Sequence, residues 1–168
     1  KCLEKAKTLL YKQIQEGRVK AVVSNGFDKV GKVDLALIAG MGGMEIISIL
    51  KKAQDLPNGL VLQPMKNTPE LRKVLIELGY AFTFDSVFYA EDKYYKLIVV
   101  KKGKDSLTEQ EIQFGRTNLI ELGEDFKHLL KVQIAEYQKI LKGNLSFRLT
   151  QLILKKLGCM AQKHFINN

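Results

Sequence analysis

The spacing of apolar residues changes along this chain, and each change predicts a different kind of element. Leu3, Ala6, Leu9, Leu10 and Ile14 recur at helical spacing, which predicts a helix over residues 2–16 closed by Gly17. The β-branched residues within 19–24 predict a short strand, followed by the turn signal Asn25-Gly26. Residues 33–39 are apolar on both faces apart from Asp34, as a central strand of a parallel sheet is. Residues 43–54 return to helical spacing, with Ile46, Ile47 and Leu50 facing the core. Pro57-Asn58-Gly59 breaks the chain, and Leu60-Val61-Leu62 forms a further buried strand that ends in Gln63-Pro64. Thr68-Pro69 opens a helix whose buried stripe is Leu71, Val74, Leu75 and Leu78, and Gly79 closes it.

This alternation of strand and helix implies a parallel sheet with right-handed crossovers. The rhythm then breaks. Residues 81–90 and 94–100 are two strands separated only by Glu91-Asp92-Lys93, so an antiparallel hairpin closes the sheet edge. Beyond Gly103-Lys104-Asp105 every segment reads as helical. Ser106 with Glu109 and Thr108 with Glu111 are candidate capping boxes. Leu119, Leu122, Phe126, Leu130, Tyr137 and Ile140 form one stripe over residues 118–142. Gly143 is placed to stop that helix and Asn144 to cap the next, whose stripe is Leu145, Leu149, Leu152, Ile153 and Met160. Two such helices joined by a short turn pack antiparallel, like a coiled coil. The predicted organisation is an α/β domain over 1–103 and a helical hairpin over 104–168.

The 168 residues carry a net charge of +9, from 27 Lys and Arg against 18 Asp and Glu. That balance favours a polyanionic partner, because cations placed on phosphates release condensed counterions. No apolar run approaches the roughly 18 residues of a membrane span, and no signal-peptide pattern is present. The two cysteines, Cys2 and Cys159, lack CxxC spacing, which argues against a disulfide scaffold and a zinc site and favours the reducing cytoplasm. His128 and His164 are isolated from other metal-ligating residues, so no metal is expected. The chain opens at Lys1 inside an amphipathic helix with no strand before it, which reads as a domain whose first elements are missing.

The strand at 33–39 runs into Gly40-Met41-Gly42-Gly43 at what must be its carboxyl end, where ligands bind in open α/β sheets. A parallel sheet closed by a hairpin is the pattern of class I methyltransferases more than of dehydrogenases. The chain resembles the bacterial tRNA adenine-N1 methyltransferases that modify adenine 22 of tRNA. The resemblance rests on Ser24-Asn25-Gly26, Ile38-Ala39-Gly40-Met41-Gly42-Gly43, Leu62-Gln63-Pro64 with Asn67 and Arg72, Gly79-Tyr80, Glu91 and the strand containing Tyr95. It runs from Lys1 to about Lys102, and more loosely through the helical tail.

The resemblance implies a Rossmann-like fold, S-adenosylmethionine as methyl donor and tRNA as partner. It implies that the donor's main glycine-rich loop lies upstream of residue 1. Asn25, Gly26, Ala39, Gly40 and Met41 then fall at the donor site. Asn25 stands where aspartate is usual, and its amide oxygen can still accept from an adenine amino group; a plain Asn-Gly turn is the alternative. Gly40, Met41, Gly42 and Gly43, with Gln63 and Asn67, fall at the catalytic site. Related enzymes that methylate the exocyclic amine carry polar groups there. This chain has none between Ala39 and Gly43, which fits a ring nitrogen whose lone pair needs alignment rather than deprotonation. Arg72 is expected either to touch phosphate or to lie on a solvated helix face. The last helix has Arg148, Lys155, Lys156 and Lys163 and no acidic residue from Asn144 onward, as an RNA-tracking face does. The expected assembly is a monomer or weak dimer. Two alternatives stay open on sequence: another nucleotide-cofactor enzyme of the same fold, and a non-catalytic RNA-binding or scaffold protein.

Overall fold

The structure, a computed structural model, describes residues 2–144. Two short helices, α1 (Cys2–Leu9) and α2 (Tyr11–Gln15), stand in place of the single helix expected over 2–16. Gly17 follows with φ +71°. Next come β1 (Leu35–Met41), α3 (Gly43–Lys52), β2 (Gly59–Pro64) and α4 (Thr68–Glu77), then the hairpin strands β3 (Tyr80–Ala90) and β4 (Lys93–Lys102). Helices α5 (Glu109–Phe114), α6 (Arg116–Glu121) and α7 (Glu124–Asn144) complete the described chain.

The four strands form one mixed sheet in the order β1-β2-β4-β3. Strands β1 and β2 are parallel, from Leu35 opposite Gly59 to Met41 opposite Pro64. Strand β4 runs antiparallel to β2, with Leu62 opposite Ile98 and Gly59 opposite Lys101. Leu60, Leu62, Ile98 and Val100 turn one face of this sheet onto Ile46 and Leu50 of α3 and Leu71 and Leu75 of α4, all essentially buried. Tyr80 joins this core, and its hydroxyl donates to the Pro57 carbonyl at 2.7 Å.

Residues 19–24 form no strand. They pair with nothing in the sheet, and β1 is its outermost strand. The physical reason is visible in β1 itself. Leu37, predicted to be covered on both faces, is 70% exposed, so the apolar run is that of a central strand standing at an edge. A β-branched run makes a strand only where a neighbour offers its backbone groups.

The expected single helix over 118–142 is also divided. Leu122 adopts a left-handed backbone (φ +48°) between α6 and α7. The first part of its stripe faces the sheet: Phe126 and Leu130 pack with Val87 of β3, and Leu119 and Leu122 lie against them. Helix α7 runs through Gly143 rather than stopping there. The second arm of the helical hairpin lies outside the described residues.

Candidate functional site

The Gly40-Met41-Gly42-Gly43 loop and the segment from the end of β2 onward meet at the carboxyl ends of the two parallel strands, and two backbone contacts and one side-chain contact fuse them. Gly43 N–H donates to the Lys66 carbonyl at 2.8 Å, and Met65 N–H donates to the Met41 carbonyl at 2.9 Å. The Gly40 N–H donates to Oε1 of Gln63 at 2.9 Å. Glycine at 43 is compulsory for this approach. A Cβ there would lie 2.5 Å from the Asn67 carbonyl oxygen and 2.7 Å from that of Lys66. Gly42 differs: its backbone is extended (φ −67°), and a Cβ would meet only the ends of the Lys66 and Glu45 side chains. The Glu45 carboxylate accepts from Gly42 N–H at 2.8 Å and so closes the first turn of α3. Gly40 has φ +74° and open space where a side chain would project.

The predicted residues thus divide. Gly40, Met41, Gly42, Gly43, Gln63 and Asn67 come together at one edge of the sheet. Asn67 is exposed in a left-handed conformation (φ 55°), and its side chain makes no capping bond to α4. Gln63 is committed to Gly40 through Oε1, while its Nε2 lies 3.4 Å from Met65 Sδ. Ala39, the last β1 residue before the bulge, pairs with Gln63 and is exposed. Asn25 and Gly26 are not delivered by a strand to this edge. They occupy a turn in which a Cβ on Gly26 would press on the Ile49 side chain of α3. At 1.5 Å per residue, Ile49 lies about 9 Å along that helix from Gly43.

Arg72 is neither solvated nor available to phosphate. It is 1% exposed and makes a bidentate pair with Asp85, Nε to Oδ2 at 2.7 Å and Nη2 to Oδ1 at 2.8 Å. Its Nη1 donates to the Ile112 carbonyl at the end of α5 at 2.8 Å. The expectation failed because charge patterning on one helix cannot reveal a carboxylate on a distant strand. Arg148, Lys155, Lys156 and Lys163 lie outside the described residues.

A second feature has no sequence signal. Strand β3 is an edge strand, and its outward N–H groups are capped by side chains. Phe82 N–H donates to Asp105, Asp85 N–H to Thr117, Val87 N–H to Asn118 and Tyr89 N–H to Asp125, all at 2.9–3.0 Å. Three of these acceptors belong to α6 and α7, so those helices seal the sheet edge. Arg116 bridges Asp105 and Glu111 beside it. The Asp105 and Glu111 carboxyls are partly buried, which alone raises them, yet Arg116 and the N–H groups they accept hold both below the ordinary carboxylate range.

Among the described residues no group of three or more His, Cys, Asp and Glu is placed to hold a metal ion, and no helix is long and apolar enough to cross a membrane.

Glycine-bearing loops at the carboxyl ends of parallel strands, in a sheet closed by an antiparallel hairpin, define a Rossmann-like α/β protein. Solved structures share the fold. The B. subtilis M1A22 tRNA methyltransferase TrmK superposes with a TM-score of 0.73 at 21% identity, over 96% of this chain and 74% of that one. M. capricolum TrmK, solved with the cofactor product S-adenosyl-homocysteine, gives 0.77 at 24% identity over 96% and 75%. In sequence, a Mycoplasma pneumoniae relative is 31% identical over 101 residues, 56% of this chain and 47% of that protein. The Bacillus subtilis tRNA (adenine(22)-N(1))-methyltransferase is 33% identical over 78 residues, 45% of this chain and 33% of that enzyme. These matches span less than half the length of either relative. The family model described as TrmK, tRNA (adenine(22)-N(1))-methyltransferase, matches residues 1–157, and the chain belongs to that family.

Proposed function

We propose that this chain carries the substrate-facing part of an enzyme that transfers a methyl group from S-adenosylmethionine to N1 of adenine 22 in tRNA. The observation that carries the reading is the fused loop pair. Backbone contacts rigidify Gly40-Met41-Gly42-Gly43 against residues 65–67, the Glu45 carboxylate beside them is spent on the Gly42 N–H, and no polar side chain lies between Ala39 and Gly43. Such a site suits a nucleophile that needs no base. The adenine N1 lone pair would form the new bond to carbon as the carbon–sulfur bond of the donor breaks and its electron pair returns to sulfur. The donor would leave as the neutral thioether, the positive charge would pass to the base, and no proton has to be removed from N1 first. When bound, the donor supplies an electrophilic methyl group.

The chain's own groups then have distinct tasks. Open space over Gly40, and the exposure of Ala39, leave backbone for close approach by the donor, with Met41 beside them. Gln63 acts through Gly40, holding its N–H, and is a positioning residue. The exposed Asn67 amide has both a donor and an acceptor to offer an extruded adenine. Asn25 and Gly26, on the turn beside α3, are retained as the proposed adenine contact of the donor. Arg148, Lys155, Lys156 and Lys163 are retained as the proposed tRNA contacts, and the helical hairpin as the arm that carries them. The protein is proposed to act in the cytoplasm, as a monomer or weak dimer.

The test is transfer of labelled methyl from S-adenosylmethionine to an unmodified tRNA transcript, with the product base identified as N1-methyladenine. The expected result is label at adenine 22 and none in a transcript bearing guanine there. Label on an exocyclic amine, or cofactor binding without any transfer to RNA, would overturn the proposal.

A further inference from the structure

The β3–β4 hairpin carries a second feature on the same edge as the Gly40 loop. Strand β4 is antiparallel to β2, so its first residue, Lys93, lies at the end where β1 and β2 finish. Pairing with β2 covers only residues 98–101 of β4. Residues 93–97 therefore project with β3 alone, about 16 Å beyond Ile98 at ~3.3 Å per residue. A two-residue loop, Glu91-Asp92, closes the tip with both residues at positive φ.

The two faces of this projecting tip are used differently. On one face Tyr89 and Tyr94 pack together, with ring centroids 4.8 Å apart, and both meet His128 of α7; the Tyr94 hydroxyl and His128 Nδ1 share a hydrogen bond of 2.5 Å. That face is engaged by α7 through His128, although Tyr89 stays 43% exposed. On the other face Phe88 stacks on Tyr95, with centroids 5.5 Å apart and rings 22° from parallel. Neither ring belongs to the hydrophobic clusters, and Phe88 is 40% exposed. Strand alternation puts the exposed Lys93 on this same face, and the exposed Lys66 stands beside Gly42 on the same sheet edge. Among the described residues neither lysine has an ion-pair partner, while Asp92 is bonded by the Tyr89 hydroxyl on the opposite face.

We propose that Phe88 and Tyr95 form a stacking platform for an unpaired nucleobase of the RNA substrate, separate from the Gly40 loop, with Lys93 beside it on phosphate. A parallel aromatic pair with one open side is what single-stranded bases extend, because every base has a π-face. The chain's charge of +9 matches a polyanion. The proposal rests on the RNA substrate proposed above and adds where a second base is held.

The test uses the full chain and an unmodified tRNA transcript. The paired substitution Phe88→Leu with Tyr95→Leu keeps apolar bulk and removes both rings. It is expected to weaken tRNA binding about tenfold or more, with the salt dependence of binding unchanged because no charge is lost. Tyr95→Phe is expected to stay within about twofold of wild type. A short single-stranded RNA is expected to bind at least about tenfold tighter than a duplex of equal length, a measurement that needs no variant. Wild-type affinity in the leucine pair, or equal binding of single strand and duplex, would overturn the platform and leave the RNA reading standing. Failure of the wild-type chain to bind any RNA would overturn both. A wild-type dimer that the leucine pair dissociates with no loss of RNA affinity would assign the rings to self-association and overturn the platform.

Discussion

Gly42 and Gly43 are neighbours of one type with different constraints, and the difference predicts two separate phenotypes. Gly43→Ala drives a methyl group into the Lys66 and Asn67 carbonyls, which are backbone and cannot rotate away. Separating the two loops would expose the Gly43 N–H bond and the α3–α4 packing, so a loss of about 1–3 kcal/mol of stability is expected, read as a lower urea midpoint. Gly42→Val meets only flexible side-chain ends, and its extended φ accepts a β-branched residue. It should fold with nearly wild-type stability and lose methyl transfer, by crowding the loop; unchanged turnover would remove this loop from the proposed catalytic site. Gln63→Ala releases one N–H rather than a substrate contact. It is therefore expected to lower kcat while leaving donor affinity within about threefold, and Gln63→Glu, which keeps the accepting oxygen, to restore much of that loss. The type and order of these residues were legible in the sequence, because strand, glycine and helix signals are local. What was not legible is that Gln63 is spent on Gly40, since its partner lies 23 positions away.

At the scale of elements, the helices after residue 104 are held to the sheet by polar groups as much as by apolar ones. Arg72 draws together α4, β3 and the end of α5, and Gly115 lies so close that a Cβ would be 2.9 Å from both the guanidinium and the carboxylate. Removing one partner leaves the other charge buried. Arg72→Met is expected to cost about 3–5 kcal/mol, and the double change Arg72→Met with Asp85→Leu clearly less than the sum of the two single changes, as a thermal melt of the four chains would measure. Asn118→Ala removes the acceptor for the Val87 N–H and the Ser86 hydroxyl, and about 1–3 kcal/mol is expected from the orphaned buried N–H. Sequence periodicity located β1, α3, β2, α4 and the hairpin to within a few residues because each has a strong apolar face. It misplaced 19–24 and missed both the break at Leu122 within 118–142 and the turn of that stripe's first part onto the sheet, for one shared reason. Whether a β-branched run becomes a strand, and which way a helical stripe faces, is decided by partners that local spacing does not contain.

For the whole molecule, charge acts at two levels that opposite experiments separate. The net charge of +9 should act on association, and its effect fades with salt. If Lys155 and Lys156 each neutralise a phosphate, replacing both with glutamate should reduce the salt slope of tRNA binding by about two. The Asp105, Glu111 and Arg116 cluster acts instead on folding. Both carboxyls titrate lower in the folded chain than in the unfolded one, with Arg116 pushed further up. The folded state therefore binds fewer protons wherever the unfolded carboxyls are taking them up. The stability they add is complete above the unfolded carboxyl range, near pH 4, and is lost as pH falls through their lowered folded values. Because the cluster joins the Phe82 N–H of β3 to α5 and the start of α6, that loss falls first on the seam between sheet and helices. The melting temperature should be nearly flat from pH 7 to 5 and fall steeply below pH 4. Asp105→Asn should melt lower than wild type at pH 7, and the gap should narrow as pH falls from about 4 towards about 3, because the unfolded wild-type carboxyl then takes up protons that the folded one resists. A constant gap between the two chains across that range would mean that the Asp105 charge contributes nothing and that its side chain acts only as a neutral acceptor for the sheet edge.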